Sequence, residues 1–135
     1  MLHVLKFGGS SVANADRINN SVEIVRRRLA EAKVAVVVSA LGGVTDELIA
    51  IMDLACSGNI AWKQRFENLK ERHYTTAAQL FGSSIDTGLK AQLDQLFLLL
   101  DEQYSTIQET GKIKASQRDT VLSFGERLSC RIFAA

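Results

Sequence analysis

The residues Lys6-Phe7-Gly8-Gly9-Ser10-Ser11 lie at the end of a short apolar segment near the amino terminus. The length of that segment, His3–Phe7, and the glycines that follow it predict a strand that runs into a tight turn. A second apolar run, Val34–Val38, ends in the same way at Ser39, and a segment with apolar residues at helical spacing lies between the two. Strand, helix and strand at this spacing predict a βαβ unit with parallel strands, and hence an α/β fold.

The remainder of the chain predicts helices. Apolar residues keep helical spacing from Asp46 to about Cys56, from Trp62 to Leu80, from Asp86 or Thr87 to Ile107, and from Ser116 to about Phe133. Gly82-Ser83-Ser84 separates the second of these helices from the third. Two parallel strands expose two apolar edges, so we expect the front part of a longer α/β protein.

Side chains that can cap a helix predict where three of the helices begin. Asn14 or Asp16 caps the first helix, and Asp46 caps the one that follows the second strand. Ser116 with Asp119 three residues later resembles a capping box at the start of the last helix.

Composition narrows the class of protein. The 135 residues are 47% hydrophobic and 23% charged, which is typical of one soluble globular domain. Sixteen basic and 15 acidic residues give a net charge of +1, which argues against nucleic acid as a partner despite the cluster Arg26–Arg28. No apolar run exceeds five residues, whereas a membrane span needs about 18. Cys56 and Cys130 are far apart and no signal peptide is present, so a cytoplasmic protein without disulfides is predicted.

The first turn has the chemistry of a phosphate site. Lys6 places a positive charge at the carboxyl end of a strand, where open α/β sheets bind ligands. Gly8 and Gly9 permit close approach of the backbone to an anion, and Ser10 adds a hydroxyl donor. The spacing is neither a Walker A loop nor GxGxxG. The alternative is a plain turn between a strand and a helix.

The second turn leaves the same edge of the sheet, because parallel strands share their carboxyl edge. Ser39 and Thr45 can then lie opposite Lys6 across one crevice, or Thr45 merely caps the next helix. In the last helix, Gly125 indicates close packing or close approach of a ligand, since a helical glycine costs about 1 kcal/mol relative to alanine. Glu126 beside it can bind a cationic amine, or it is an ordinary surface residue.

Three other side chains are interpreted as structural. His3 and His73 have no partner at metal-ligand spacing. Cys130 is expected to be buried in the last helix rather than to act as a nucleophile. No protein metal ligand is predicted in this segment.

Three segments together resemble the start of the aspartokinases in order and separation. They are Lys6–Val12, Val37–Ala40 with Gly43–Asp46, and Ser123–Ser129. The continuation Val12–Ala15 is similar to the bifunctional aspartokinase–homoserine dehydrogenases. The resemblance implies that residues 1–135 are the amino-terminal part of an amino-acid-kinase fold, a βαβ unit followed by a mainly helical region. The family's later nucleotide-binding segments and its regulatory domains are not expected within these residues.

The resemblance also implies roles for single residues. The residues implied to contact the ATP phosphates are Lys6, Phe7, Gly8, Gly9 and Ser10, and Lys6 is the implied catalytic residue. Those implied to bind aspartate are Ser39, Thr45 and Glu126, the last through the α-amino group.

The implied reaction transfers the γ-phosphoryl group of ATP to the side-chain carboxylate of L-aspartate and yields 4-phospho-L-aspartate. This reaction serves the biosynthesis of lysine, threonine and methionine. Mg²⁺ is implied to be held through the ATP phosphates, and a homo-oligomer is expected, with neither nucleic acid nor membrane as partner. Because later family segments are missing, we expect this chain alone to lack kinase activity.

Three alternatives remain open from the sequence. The first is another enzyme of the same fold, such as an acetylglutamate kinase. The second is a helical assembly module without catalytic activity. The third is nucleic-acid binding through Arg26–Arg28, which the near-zero net charge disfavours.

Overall fold

Residues 1–82 and 85–135, as described by a computed structural model, contain two strands and five α-helices. In chain order they are β1 (Leu2–Phe7), α1 (Ala15–Leu29), β2 (Lys33–Val38), α2 (Val44–Cys56), α3 (Trp62–Phe81), α4 (Thr87–Thr110) and α5 (Ala115–Ala134). The order confirms the predicted βαβ unit followed by a mainly helical region. The predicted break at Ser83 and Ser84 lies outside the described residues.

The two strands pair in parallel, with Leu2 opposite Lys33 and Phe7 opposite Val38. Several of their side chains are exposed: Leu2 is 61% exposed and Val37 is 48% exposed. The reason is that α2, α3, α4 and α5 pack mainly on one another, and the principal helix contacts of the strands come from α1 and α5.

The core lies between α2, α3, α4 and α5, which we call the helical body (residues 44–82 and 85–134). The apolar stripes predicted for its helices are buried, apart from Leu80, which is half-buried. Trp62, Phe66, Phe97 and Tyr104 form an aromatic cluster with neighbouring ring centroids 5.7–6.2 Å apart. The Tyr104 hydroxyl donates a hydrogen bond of 3.1 Å to the Leu48 carbonyl oxygen, so the buried polar atom of this ring is paired.

His73 is fully buried in the helical body, which confirms its predicted structural role. Its Nδ1 lies 2.8 Å from the Leu69 carbonyl oxygen, whereas its Nε2 has no partner among the described residues. Burial lowers the pKa of this imidazole to about 4, because a charged ring would lose its hydration. His73 is therefore neutral in the folded protein at pH 7.

Helix α1 begins as predicted, and α2 does not. The Asn14 side chain accepts a hydrogen bond of 3.0 Å from the Arg17 amide and so caps α1. Helix α2 begins two residues before Asp46, and its cap is Gly43, in the left-handed region at φ 79°. This conformation favours glycine, which has no Cβ atom, and Asp46 lies inside the first turn of the helix.

Helix α5 also begins earlier than predicted. Its first residue is Ala115, and the backbone amide of Lys114 donates a hydrogen bond of 3.0 Å to Gln117 Oε1. The predicted capping box of Ser116 and Asp119 is wrong because both residues already lie inside the helix. In the described ranges, none of the helices combines the length and the apolar character that crossing a membrane requires.

Candidate functional site

Two loops leave the carboxyl ends of the strands at the same edge of the sheet. The first loop (residues 8–14) follows β1 and contains a 3₁₀ turn closed by a 2.9 Å hydrogen bond from the Ser11 amide to the Gly8 carbonyl oxygen. The second loop (residues 39–43) follows β2, and the Ser39 amide donates a 3.0 Å hydrogen bond to the Phe7 carbonyl oxygen. The ladder between the strands thus continues into the loops.

Glycines bring the two loops into direct contact. A Cβ atom on Gly9 would lie 3.6 Å from the Ala40 carbonyl oxygen. A Cβ atom on Gly42 would lie 3.1 Å from the Ala13 Cβ and 3.3 Å from the Gly9 carbonyl oxygen. Larger residues at Gly42 would push the loops apart, so the glycines set their spacing.

Helix α5 packs against the second loop through a small residue. A Cβ atom on Gly125 would lie 2.8 Å from the Ala40 Cβ, so close packing explains this helical glycine. One turn later, the Ser129 hydroxyl donates a hydrogen bond to the Ser39 carbonyl oxygen. These two contacts fix α5 beside the second loop. Glu126 directly follows Gly125 in the chain, so it belongs to the helix turn that meets this loop.

Four of the predicted site residues have free side chains. Lys6, Ser10, Thr45 and Glu126 are exposed, and in the described part of the chain their side chains form no hydrogen bond or ion pair with another residue. These side chains do not contact one another: Lys6 lies in β1 just before the first loop, Ser10 lies within that loop, Thr45 lies in the first turn of α2 just after the second loop, and Glu126 lies in α5. One ammonium, one carboxylate and two hydroxyls are thereby left available to a ligand.

Phe7 and Ser39, unlike the four exposed residues, mainly make contacts within the chain. The Phe7 ring is buried, with its centroid 5.7 Å from that of Phe133, so only its backbone is placed to reach a ligand. The Ser39 backbone is bonded on both sides, to Phe7 and to Ser129, while the residue is half-buried. Both residues hold the base of the loops.

A cleft of about 390 Å³ lies between α5 and the end of β2. The residues that line it are Val36, Val37, Val38, Glu126, Arg127, Cys130 and Arg131. The expectation that Cys130 is buried is wrong, because α5 buries the face that carries Leu128 and Ile132 and leaves Cys130 exposed beside the strand. Glu126 and Cys130 are four residues apart and share one helix face.

Arg72 connects the two loops, and the sequence alone did not identify it as a site residue. Arg72 Nη2 in α3 donates a 2.6 Å hydrogen bond to the Gly42 carbonyl oxygen and a 3.2 Å hydrogen bond to the Ala13 carbonyl oxygen. The partners are 30 and 59 residues away in sequence. No spacing pattern could have revealed contacts of that range.

Two other features are candidates for ligand binding: the basic cluster Arg26–Arg28 and groups of possible metal ligands. In the predicted basic cluster, Arg26 pairs with Glu23 at 2.7 Å and Arg28 with Glu31 at 3.1 Å, which reduces its positive field. Within residues 1–82 and 85–135, no group of three or more His, Cys, Asp or Glu residues is placed to hold a metal ion.

The βαβ unit, with two glycine-containing loops at one edge of its sheet, is found in a known class of proteins. The profile of the amino acid kinase family matches residues 1–135, and this chain belongs to that family. Similar curated proteins are aspartokinases. Aspartokinase 1, chloroplastic, of Arabidopsis thaliana is 35% identical over 136 residues, covering 98% of this chain and 22% of that protein.

Two further relatives extend the comparison. The bifunctional aspartokinase/homoserine dehydrogenase of Haemophilus influenzae is 26% identical, over 99% of this chain and 17% of its own length. The aspartokinase of Rickettsia conorii is 36% identical, over 77% of this chain and 27% of its own length. The chain therefore spans between 17% and 27% of the length of these relatives.

Solved structures agree on the fold. The crystal structure of E. coli aspartokinase III in complex with aspartate and ADP has a TM-score of 0.80 with this chain, at 24% identity. The match covers 98% of this chain and 28% of that one. The predicted resemblance to the aspartokinases and the predicted fold are confirmed.

Proposed function

We propose that this chain supplies the phosphate-binding and aspartate-binding loops of an aspartokinase. The reaction transfers the γ-phosphoryl group of ATP to the side-chain carboxylate of L-aspartate and yields 4-phospho-L-aspartate, for the biosynthesis of lysine, threonine and methionine. The names of the relatives support this assignment, and a structural neighbour was solved with aspartate and ADP. No general base is required, because a carboxylate is already a nucleophile.

The observation that carries the proposal is the free ammonium of Lys6 at the carboxyl edge of the sheet, next to the first loop. Lys6 is exposed and has no acidic partner within the described part of the chain. An ammonium in that place can neutralise charge that develops on the phosphoryl group during transfer. The Gly8 and Gly9 backbone and the Ser10 hydroxyl then hold the neighbouring phosphate oxygens, and Phe7 contributes through its backbone.

Glu126 and the hydroxyls of Ser39 and Thr45 form the proposed aspartate side of the site. The Glu126 carboxylate is free to bind the α-ammonium of the substrate, which carries the opposite charge. Mg²⁺, which neutralises phosphate charge when bound, enters with ATP and is held through its phosphates. Under the alternative of an acetylglutamate kinase, Glu126 has no partner, because the acylated amine of that substrate is neutral.

The chain spans about a fifth of Arabidopsis thaliana aspartokinase 1, so we propose that residues 1–135 are one part of a kinase domain. Further segments of the kinase domain then supply the contacts to the nucleotide base and to the aspartate α-carboxylate. A cytoplasmic homo-oligomer is part of the same proposal, and the chain alone is expected to be inactive.

Replacing Lys6 tests the proposed phosphate role. In a polypeptide that carries the complete kinase domain, Lys6→Ala should lower kcat by about 10²- to 10³-fold, the usual loss when one charge-stabilising group is removed. Hydroxylamine trapping of the acyl phosphate measures the product. The matched control is Lys33→Ala, an exposed lysine at the opposite end of the sheet, which should retain kcat. A Lys6→Ala enzyme with wild-type kcat would refute the assignment.

Replacing Glu126 tests the aspartate side. Glu126→Gln should raise the KM for aspartate at least about tenfold, because a charge-assisted hydrogen bond to the α-ammonium is lost. Asp119→Asn, another exposed carboxylate of α5, serves as the control and should leave the KM unchanged. Unchanged aspartate KM in Glu126→Gln, or better turnover with N-acetylglutamate than with aspartate, would remove Glu126 from this role.

A further inference from the structure

Arg72 of α3 contacts both loops through its guanidinium group. A single nitrogen, Nη2, donates both of its hydrogens to backbone carbonyls, Gly42 O at 2.6 Å and Ala13 O at 3.2 Å. In the ranges that the structure describes, no carboxylate pairs with Arg72. Its positive charge therefore stays uncompensated beside both loops, whereas Arg65 on the same helix is neutralised by Glu47 at 2.7 Å.

The carbonyls held by Arg72 determine where two backbone amides point. A trans peptide is planar, so its N–H points opposite to its C=O. The amides that follow Ala13 and Gly42 belong to Asn14 and Gly43, and both point away from the guanidinium. Neither amide donates a hydrogen bond to any described residue. Arg72 thus orients one free donor in each loop.

We propose that Arg72 is a positioning residue, which holds the first and second loops at a fixed spacing so that phosphate and acceptor carboxylate meet in a reactive geometry. Its kinetic consequence rests on the proposed function; its effect on the loops does not. A single arginine in α3 then couples the two halves of the site to the helical body. A displacement of about 1 Å between reacting groups can cost about 10²-fold in rate.

Hydrogen exchange on the 135-residue chain tests the effect on the loops. The Ser11 and Val44 amides are suitable probes, since each donates a 2.9 Å hydrogen bond to a carbonyl oxygen of one loop, Gly8 of the first loop and Leu41 of the second. In Arg72→Met both amides should exchange at least about fivefold faster, because local opening becomes easier. Arg65→Met is the control and should leave both unchanged. Unchanged exchange at either amide, or equal acceleration in the control, would overturn the proposal.

Kinetics of the complete kinase test the consequence for transfer. Arg72→Met should lower kcat by about 10- to 100-fold at a temperature where circular dichroism shows both proteins folded. Arg72→Lys, which keeps the charge but not the planar fork, should recover part of the loss. A wild-type kcat in Arg72→Met overturns the positioning role. A wild-type enzyme without aspartate-dependent product would instead refute the proposed function, and hydrogen exchange still decides the role of Arg72.

Discussion

The helical body and the sheet edge differ in how far their side chains are buried and hydrogen-bonded. In the helical body, Tyr104, Leu93 and Leu100 are fully buried, and the Tyr104 hydroxyl is paired. At the sheet, Leu2 and Val4 are 61% and 65% exposed, and the site residues beside the strands keep free polar groups. The difference indicates that stability comes from the helices and that ligand chemistry is placed on a thin layer attached to them.

Contacts at the loops help to attach that layer to the helical body. Arg72 of α3 holds both loops, Gly125 of α5 packs on Ala40, and Ser129 of α5 bonds to Ser39. The site is thus rigid where it meets the helical body and open where it would meet a ligand.

The largest expected effect separates the two regions by stability. Tyr104→Ala should cost about 3–5 kcal/mol, because it removes a buried ring and leaves a cavity. Val37→Ala in β2 should cost less than about 1 kcal/mol, since Val37 is 48% exposed. Urea unfolding followed by circular dichroism measures both. Equal losses would contradict the assignment of stability to the helices.

The pH dependence of stability tests the interior of the helical body. Because the pKa of His73 falls from 6.5 in the unfolded chain to about 4 in the folded one, the unfolded state binds more protons between these values. The free energy of unfolding should therefore decrease as pH falls from 6.5 to 4, with about 3 kcal/mol attributable to His73. His73→Leu should remove that part of the slope in urea unfolding at several pH values. A slope identical to wild type would contradict the buried neutral imidazole.

The contact between Gly125 and Ala40 tests the junction of the two regions. Gly125→Ala should destabilise the chain by about 1–3 kcal/mol, because its Cβ would lie 2.8 Å from the Ala40 Cβ. Adding Ala40→Gly should restore the stability, since the clash is relieved and alanine favours the helix by about 1 kcal/mol. Thermal unfolding of the two single variants and the double variant measures this coupling. Additive losses would show that the two residues do not pack.

The smallest effect is expected on the outer surface of α1. Glu23→Gln removes the ion pair with Arg26. Because the Glu23 side chain is 55% exposed and the Arg26 side chain is 71% exposed, the change in stability should be less than about 0.5 kcal/mol. Urea unfolding is again the measurement. A loss above about 1 kcal/mol would show that α1 contributes more to stability than its exposure indicates.

Local patterns in the sequence were sufficient for most of the fold. The strand His3–Phe7 is β1 shortened by one residue, and the stripe from Leu89 to Ile107 is buried along α4. The first loop was recognisable because lysine, glycines and serine are adjacent in the chain. Periodicity and turn chemistry act over a few residues, so such features are visible without a structure.

The parts that could not be predicted depend on distant contacts. The role of Arg72 requires loops 30 and 59 residues away, and the exposure of Cys130 depends on which face of α5 meets β2. The exposure of the strands depends on the same kind of contact, because α2, α3 and α4 pack mainly on other helices rather than on the sheet. All three features are determined by packing between residues that are far apart in the sequence.

Titration of the ¹⁵N-labelled 135-residue chain with Mg-ADP, followed by ¹H–¹⁵N correlation spectra, tests the central claim most directly. The account predicts weak binding with chemical-shift changes concentrated at the amides of residues 8–11 and 42–46, and their loss in Lys6→Ala. Shift changes confined to the groove between α3 and α4, lined by Phe66, Tyr74 and Asp94, would contradict it. So would a Lys6→Ala chain that binds Mg-ADP as the wild type does.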